Sequence, residues 1–300
     1  MKIIDILEFL NRENYEFTFN GNKDEEVSWF SSLTNYKNNT ITWVGRENAI
    51  PEQPPKDVVL AVIQEGISFY SKNKIITRES KRVFFSIIEK LFDPKESKSA
   101  CGQNTYISPQ VHLGNNVKIG HNCILDGDIC IEEDTIIYNN VNIVNRCRIG
   151  KRCVIQSGVS IGHDGYGFSQ EADGKKTMVA HHGGVYIGND VYISANTVIQ
   201  RGTIDDTVIE DGSKIDTLCH IAHNVHLGKN TALVTLTGMY GSSSTGKNCY
   251  IASGLVKDNT HLGDNVQVGM NGSVMKNVEN DSIVVGTPAR LLRKESGIKG

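Results

Sequence analysis

An aliphatic residue recurs at every sixth position through the middle of the chain. The series begins at Ile107 and continues without a break through Leu113, Ile119, Leu125, Ile131, Ile137, Ile143, Ile149, Ile155 and Ile161. An α-helix repeats about every 3.6 residues and a strand alternates about every two, so neither explains this period. A period of six is typical of a hexapeptide solenoid, in which each hexad forms one flat face and three hexads form one coil.

The sixfold series is interrupted by one long insertion. It stops near Gly162, and residues 163–184 carry glycines, aromatic residues and histidines before the pattern resumes at Ile187. Long loops in compact domains are commonly functional, so we expect this loop to contribute to a site. The whole series predicts roughly eight coils and, at a strand spacing of about 4.8 Å, a prism on the order of 40 Å long.

The N-terminal part of the chain lacks the sixfold pattern. Its apolar residues predict, in order, a helix at 3–10, a strand at 40–44, a strand at 58–63 and a helix at 83–92. This order predicts a small α/β domain.

The chain therefore divides into three parts. We expect an α/β domain at 1–98, a solenoid domain at 99–278 that contains the loop 163–184, and a C-terminal extension at 279–300. The polar stretch 93–104 is typical of a linker between the first two parts.

Composition and charge exclude several classes of function. The chain is 39% hydrophobic and 22% charged, which is ordinary for a globular protein. A net charge of −3 gives no general attraction to nucleic acid or to acidic membranes. The aliphatic run at 58–63 is too short to span a bilayer, and the N-terminus shows no signal-peptide pattern. We expect a cytoplasmic protein with no nucleic acid partner and no membrane span.

The seven cysteines do not follow the pattern of disulfides or of a metal site. Five occupy the hexad position that elsewhere holds Val or Thr: Cys123, Cys147, Cys153, Cys219 and Cys249. No pair has the CxxC spacing. We interpret the five as small buried hydrophobic residues in a reducing compartment.

The densest polar cluster lies at residues 216–228 and points to acyl transfer. His223 stands two residues after the aliphatic Ile221, at a predicted corner of the coil. Gly241 follows 18 residues later, which is one full coil, so it is predicted to lie directly above His223. A glycine there lets a backbone N–H approach a developing oxyanion beside a general base. That combination suits amide formation.

Two other classes compete with this interpretation. His220, His223 and His226 could hold zinc, as in a trimeric zinc hydratase resembling carbonic anhydrase on the same type of solenoid. Residues three apart lie on different parts of a coil, so we expect the three rings to diverge and to form no metal site. A purely structural or binding solenoid is the third class, and the His223–Gly241 pairing and the inserted loop argue against it.

Other candidates are less specific. Arg201 begins a stretch that binds phosphate or carboxylate, or else simply forms a polar corner. His163 and the His181-His182 pair lie in the loop, where contact with substrate or a neighbouring subunit competes with a surface position without a role. No P-loop or dinucleotide fingerprint is present, so we expect no nucleotide-driven motor and no hydride chemistry.

Four stretches resemble the UDP-3-O-acylglucosamine N-acyltransferases of lipid A and lipopolysaccharide synthesis. They are GYGF at 165–168, GGVYIG at 183–188, NTVIQRG at 196–202 and IDTLCHIAHNV at 215–225. The IAHNV stretch is the most specific of them. The similarity covers most of residues 107–276 and extends faintly into the N-terminal domain at 31–44.

The resemblance implies a fold, an assembly and a chemistry. The fold is mostly β: a left-handed parallel β-helix, assembled as a homotrimer, with a small N-terminal α/β domain that contacts the nucleotide sugar and a short C-terminal tail. His223 is then the general base that takes a proton from the amine of a nucleotide-linked aminosugar, and Gly241 is the backbone oxyanion donor. The candidate substrate-binding residues are Asp216, Asn224, Arg201, His163, Phe168 and His182.

The resemblance does not settle the identity of the acyl donor. The family uses an acyl carrier protein, whereas the tail at 284–294 resembles that of coenzyme A-dependent sugar acetyltransferases. The expected donor is a thioester of either carrier, with no permanently bound cofactor, and His261 and Arg290 are the candidate donor contacts. Arg290, Arg293 and Lys294 are a candidate basic patch for a carrier protein.

The chain departs from the family pattern at several positions. Gln200 replaces an acidic residue, and Asn259 aligns better than His261 with a second family histidine. After the Trp43-Val44 strand, residues 45–48 read Gly-Arg-Glu-Asn, where the family has an Asn and a Tyr that contact uracil. An acyl-CoA- or acetyl-CoA-dependent N-acyltransferase of a dTDP- or UDP-amino-deoxysugar is therefore the alternative function.

Overall fold

The computed structural model describes residues 1–92, 101–288 and 290–294. The chain divides into two compact units, Met1–Ser97 and Lys98–Gly300. Most of the predicted linker at 93–104 lies outside the described residues, as do the last six residues of the predicted C-terminal extension.

The N-terminal unit is a five-stranded sheet with two helices. Its strands are β1 (Thr18–Asn20), β2 (Trp29–Phe30), β3 (Thr40–Val44), β4 (Leu60–Gln64) and β5 (Asn73–Thr77), and its helices are α1 (Ile3–Arg12) and α2 (Ser80–Ile87). Single helical turns lie at Leu33–Asn35, Glu47–Ala49 and Ile88–Phe92. The sheet order is β1-β5-β4-β3-β2, with β1 antiparallel to β5 and the other pairs parallel.

The second predicted helix is placed differently in the structure. We expected it at 83–92, but α2 spans Ser80–Ile87 and continues as a π-helical turn at Ile88–Phe92. The buried Ser80 explains the earlier start, because its hydroxyl accepts a hydrogen bond from Trp43 Nε1 at 3.0 Å and donates one to Gln64 Oε1 at 2.7 Å. This bonding lets a polar residue enter the apolar face of the helix.

The C-terminal unit is a parallel β-helix with three flat faces, which the chain visits in turn. Face I contains Tyr106–Ile107, Ile124–Asp126, Asn142–Val144, Ser160–His163, Val198–Gln200, His220–Ile221, Gly238–Met239, Leu255–Val256 and Ser273–Val274. Face II contains His112–Leu113, Ile129–Ile131, Cys147–Ile149, Val185–Ile187, Thr207–Ile209, His226–Leu227, Ser244–Thr245 and His261–Leu262.

Face III contains Lys118–Ile119, Ile136–Ile137, Val154–Ile155, Tyr192–Ile193, Lys214–Ile215, Ala232–Leu233, Tyr250–Ile251, Gln267–Val268, Ser282–Val285 and Arg290–Lys294. The last two strands of face III form an antiparallel hairpin, and the smallest face has eight strands. The three faces thus agree with the expected number of coils.

The sixfold aliphatic residues form the core of the β-helix. Every member of the series from Ile119 to Ile161 is buried, whereas Leu113 is 42% exposed because it lies in the first coil. The five cysteines predicted to face inward are all buried. Burial raises the pKa of the Cys147 thiol to about 12. The interpretation of these cysteines as core residues is therefore confirmed.

Polar residues lie at the corners between the faces. Asparagine occupies most corner positions with positive φ, because its short amide tolerates the left-handed region. Asn224, at φ 59°, is one of them. The inserted loop carries a two-stranded hairpin of its own, Phe168–Gln170 with Lys176–Met178. Among the described residues, no helix is long and apolar enough to cross a membrane.

Candidate active site

The imidazole of His223 is half-buried at the corner where face I turns into face II. Its Nδ1 lies 3.0 Å from Oδ1 of Asn224. That oxygen also accepts hydrogen bonds from the backbone N–H of Thr203 at 3.1 Å and from its hydroxyl at 2.8 Å. Since the backbone N–H only donates, the Asn224 atom is an acceptor, and Nδ1 of His223 must carry the proton. The lone pair of Nε2 is left free to act as a base.

Asn224 is itself held from three sides. Its backbone N–H donates to Thr207 Oγ1 at 2.9 Å, and its Nδ2 donates to the carbonyl oxygen of Asp205 at 3.3 Å. Thr203 supplies the third contact. The shift of the hexad pattern around Asp205 therefore builds the support for the residue that orients His223.

Gly241 lies directly against the His223 ring, one coil further along. A Cβ added at Gly241 would lie 2.8 Å from both Cε1 and Nε2 of His223, closer than real Cβ contacts allow. The N–H of Ser242 donates to the carbonyl oxygen of His223 at 3.0 Å and fixes the register of the two coils. The structure thus brings together the two residues predicted to carry the chemistry, and any side chain at position 241 would displace the His223 ring.

The backbone N–H of Gly241 is open. At comparable corners a side chain caps this group: the N–H of Lys247, for example, donates to Asp264 Oδ1 at 2.9 Å. Within the described residues no acceptor is found for the N–H of Gly241. Asp258, one coil further on, accepts instead from Asn259 Nδ2 at 3.1 Å. A free N–H beside a basic nitrogen can donate to a developing oxyanion.

The inserted loop folds back onto this corner. The rings of His181 and His223 are 5.2 Å apart at an interplanar angle of 76°. A Cβ added at Gly165 would lie 2.7 Å from His223 Cδ2 and 2.9 Å from His181 Nε2. The loop therefore packs against the proposed base, and a glycine allows that close approach.

Arg201 holds the two ends of the loop together. Its Nε donates to the carbonyl oxygen of Gly183 at 2.6 Å, and its Nη1 lies 3.8 Å from Asp164 Oδ1. Its backbone N–H donates to the carbonyl oxygen of His163 at 3.0 Å. The side chain is only 13% exposed, so in this structure Arg201 supports the loop.

The other candidates in the loop are exposed. His163, Phe168 and His182 all present their side chains to solvent. The Phe168 ring packs on Tyr166 at 5.7 Å, and Lys176 Nζ lies 5.5 Å from its centroid. These side chains are accessible to a ligand, and their binding roles stay predictions.

Asp216 lies at the other end of face I. Its Oδ1 accepts from the N–H of Thr217 at 2.7 Å and its Oδ2 from the N–H of Thr235 at 3.2 Å. It caps the corner between faces III and I, whereas His223 stands at the corner between faces I and II. One chain does not bring the two together, and the role of Asp216 stays a prediction.

The donor candidates also lie apart from His223. His261 is exposed on face II, with its Nδ1 2.9 Å from Ser244 Oγ. Arg290 lines a cavity of about 980 Å³ at the C-terminal coil, together with Lys276 and Pro288. The side chains of Arg293 and Lys294 lie outside the described part of the chain, so the candidate basic patch is not tested.

The three histidines of the possible zinc site have separate surroundings. His220 lies on face I, where burial lowers the pKa of its ring. His226 lies on face II, with its Nε2 2.8 Å from Glu210 Oε1. Among the described residues, no group of three or more His, Cys, Asp or Glu side chains is placed to hold a metal ion. Neither this geometry nor the comparisons that follow support the hydratase alternative.

The sequence pointed to the His181-His182 pair but did not distinguish His181 within it. Of the adjacent pair, we selected His182, whose ring is exposed, whereas His181 is buried against His223. Adjacent residues in an extended segment point to opposite sides, so one of the two had to face inward. Which of the two histidines faces inward depends on how the loop folds.

A histidine with a free nitrogen and an open backbone N–H, at one corner of a parallel β-helix of hexapeptide repeats, suit a hexapeptide-repeat acyltransferase. The solved UDP-N-acetylglucosamine O-acyltransferase from Moraxella catarrhalis matches with a TM-score of 0.61 and 21% identity, over 66% of this chain and 76% of that chain. This similarity shows the fold, and the predicted left-handed β-helix is confirmed. No family model matches the chain.

Two relatives identify the family. The UDP-3-O-acylglucosamine N-acyltransferase from Campylobacter lari is 30% identical over 305 residues, which cover 97% of this chain and 94% of the relative. The protein of the same name from Delftia acidovorans is 43% identical over 131 residues, but this match covers only 39% of its length. The chain belongs to the UDP-3-O-acylglucosamine N-acyltransferase family, a family of acyltransferase enzymes, and the resemblance of its motifs is confirmed.

Proposed function

We propose that the protein transfers an acyl group from a phosphopantetheine thioester to the amine of a nucleotide-linked aminosugar. The names of its relatives suggest UDP-3-O-acylglucosamine as that sugar. The observation that carries the proposal is the pairing of a free Nε2 on His223 with an open N–H on Gly241. The two groups meet the two needs of amide formation, a base and an oxyanion donor.

The reaction runs through a tetrahedral intermediate. The sugar nitrogen attacks the thioester carbon while Nε2 of His223 takes a proton from that nitrogen. The carbonyl oxygen becomes an oxyanion and accepts a hydrogen bond from the N–H of Gly241. Collapse of the intermediate breaks the C–S bond, and the leaving thiolate receives the proton from His223. The products are the amide and the free thiol, with His223 returned to its neutral form.

Asn224 sets the tautomer that this reaction requires. Because its Oδ1 accepts the Nδ1 proton of His223, the ring presents a lone pair at Nε2 rather than a proton. When the ring becomes cationic in the transition state, the same hydrogen bond becomes charge-assisted and strengthens. Asn224 thus orients the base and stabilises its protonated form.

The proposal also covers the substrate contacts, the oligomeric state, the acyl donor and the cellular location of the protein. We assign the N-terminal domain to contact with the nucleotide sugar, and Asp216, His163, Phe168 and His182 to the sugar substrate. A homotrimer supplies clefts between β-helices, in which corners from different subunits meet. The donor is an acyl carrier protein or coenzyme A thioester, held near His261 and Arg290, and the protein acts in the cytoplasm.

A coenzyme A-dependent enzyme acting on a dTDP- or UDP-amino-deoxysugar is the second candidate function. Its support is the tail, where Ser282–Val285 and Arg290–Lys294 form a hairpin at the C-terminal coil and Arg290 lines the cavity there. The chemistry at His223 is the same for both carriers. The two candidates differ only in the donor and the sugar.

Mass spectrometry of reaction products tests the proposal. UDP- and dTDP-aminosugars are each incubated with acyl-CoA and with acyl carrier protein thioesters. We expect an N-acylated sugar from at least one pair, and about 10²- to 10⁴-fold slower formation of it by the His223→Ala variant under the same conditions. His226→Ala is the matched control, because His226 pairs with Glu210 away from the corner. Absence of product from every pair with the wild-type protein would contradict the proposal.

A further inference from the structure

His181 keeps an unpaired nitrogen inside the protein. The residue is 3% exposed, although it lies in a loop whose neighbouring side chains face solvent. Its Nδ1 lies 3.0 Å from the carbonyl oxygen of Val179. A carbonyl oxygen only accepts, so Nδ1 carries the proton and Nε2 holds a lone pair. Within the described chain, this Nε2 is buried and has no hydrogen-bond partner.

An unpaired buried acceptor is costly. Leaving such a group without a partner destabilises the fold by the full cost of removing it from water. The loop does not need the nitrogen for closure, because Arg201 and Asp164 already link its ends. A buried unsatisfied group of this kind calls for an explanation beyond packing.

The nitrogen lies beside the ring that gains a charge in the proposed reaction. Gly165 faces both His181 Nε2 and His223 Cδ2, as a Cβ there would be 2.9 Å and 2.7 Å from them. The two rings are 5.2 Å apart in an edge-to-face arrangement. When His223 takes a proton, its ring C–H groups become more positive. In the low dielectric of a buried setting, the lone pair of a neighbouring nitrogen attracts such a ring.

Few other charges face this part of the site. The Asp164 carboxylate accepts the backbone N–H of His181 at 3.3 Å through Oδ2, and its Oδ1 lies 3.8 Å from Arg201. The contact of Asp205 with this corner is through its backbone carbonyl, on Asn224. The Arg201–Asp164 pair largely offsets its own charge, which leaves His181, in addition to Asn224, as a group able to favour the cation.

We propose that His181 is a positioning residue that fixes the His223 ring and stabilises its protonated form without touching substrate. The inference rests on the proposed function, in which His223 is the base. Its ring packs on one side of His223, while Asn224 bonds the other. The loop would then complete the site by placing His181, and not only by covering it.

Removal of the Nε2 lone pair tests this directly. His181→Asn keeps a donor near the position of Nδ1, for Val179, and removes the acceptor, while His181→Phe keeps the ring and removes both nitrogens. The measurement is the titration of His223 followed by NMR, with its signal assigned by its loss in His223→Ala. We expect the titration midpoint to move to lower pH by roughly half a unit or more, because the cation loses a favourable neighbour.

Two further variants sharpen the test. His181→Gln places an amide near the position of Nε2, and we expect it to restore much of the wild-type midpoint. His112→Phe is the matched control, because His112 is exposed on the first strand of face II. An unchanged His223 midpoint in folded His181→Asn and His181→Phe would overturn the inference.

This readout separates the two proposals. The NMR titration needs no turnover, so it reports on His181 even if the product assay fails. In the assay, we expect the acidic limb of kcat/KM to move with the NMR midpoint and the KM for the aminosugar to stay constant. A lower kcat with an unmoved limb and midpoint would reduce His181 to a packing role, while the base role of His223 would stand.

Discussion

Two histidines of the β-helix occupy the same position in their hexads and are used differently. His121 and His223 each stand two residues after an inward aliphatic residue and just before an asparagine with positive φ. The Nδ1 of His121 accepts the N–H of Gln103 at 2.8 Å, and the N–H of His121 donates to Asn139 Oδ1 at 2.8 Å. His121 thus links the coil before it to the coil after it.

At the His223 corner, the proposed site of chemistry, the same position makes different contacts. Its Nδ1 donates sideways to Asn224 instead of accepting from the preceding coil. The residue 18 positions later is Gly241, where the His121 corner has Asn139. Without a side chain there, the backbone N–H of Gly241 and the Nε2 of His223 both stay accessible. The difference between the structural corner at His121 and the proposed reactive corner at His223 lies in these two neighbours.

Replacing each histidine by alanine should give the largest difference in kcat between the two corners. His223→Ala should lower kcat by about 10²- to 10⁴-fold, the usual contribution of a general base. His121→Ala should keep kcat, because it removes only a link between coils. Product formation by mass spectrometry measures both, with melting temperatures as the check on folding. Retention of more than about a third of wild-type turnover by His223→Ala would refute the base role.

Gly241→Asn should convert the reactive corner into a structural one. The new side chain would displace the His223 ring, which a Cβ approaches to 2.8 Å, and its amide oxygen would cap the backbone N–H of His223. We expect kcat to fall by about 10²- to 10³-fold, because the side chain displaces the proposed base and crowds the backbone N–H beside it, with the KM for the aminosugar nearly unchanged.

The reverse substitution is the matched control. Asn139→Gly removes a cap at the His121 corner, so it should cost about 1 kcal/mol of stability and leave kcat intact. A rise in KM with unchanged kcat for Gly241→Asn would instead assign Gly241 to substrate binding.

Loss of the supporting asparagine should have a smaller effect. Asn224→Ala removes the acceptor that fixes the His223 tautomer, so kcat should fall, though by less than about 10²-fold because the base itself remains. Asn122→Ala, at the His121 corner, carries the same backbone strain at φ 55° and should keep kcat. Steady-state kinetics of the pair decide, and equal kcat values for the two variants would count against the orienting role.

The cysteines of the core should show the smallest effect. Cys147→Ala should destabilise the fold by about 1 kcal/mol through lost buried volume and leave activity unchanged. Since burial raises the Cys147 pKa to about 12, its thiol stays protonated at pH 7 to 9 and should resist alkylation. Mass mapping after iodoacetamide should find the exposed Cys101 modified first. Early modification of Cys147 with loss of activity would contradict the core assignment.

The β-helical repeat could be predicted from the sequence because it depends only on the spacing of residues along the chain. Each inward residue packs on its equivalents one coil away, so Ile119 to Ile161 and the inward cysteines could be placed from spacing alone. The same 18-residue spacing, one full coil, places Gly241 over His223. By contrast, α2 begins earlier than its apolar spacing suggests, because Ser80 is buried through hydrogen bonds to Trp43 and Gln64.

The inserted loop was not readable in the same way. Nothing in the pattern distinguishes His181 from His182, since burial of one depends on where the hairpin folds back. Arg201 was expected either to bind phosphate or carboxylate or to form a polar corner. Its guanidinium bonds Gly183 and approaches Asp164, and its binding role stays a prediction. Both features depend on contacts between distant segments, which a periodic pattern does not encode.

The most direct test of the account is the pH dependence of kcat/KM in the wild-type protein and in the residual activity of His223→Ala. A general base must be neutral to act, so we predict an acidic limb in the wild-type profile that is absent from the variant. The His121→Ala profile should match that of the wild type. An acidic limb that persists unchanged in His223→Ala would show that another group is the base, and would contradict the assignment of this corner.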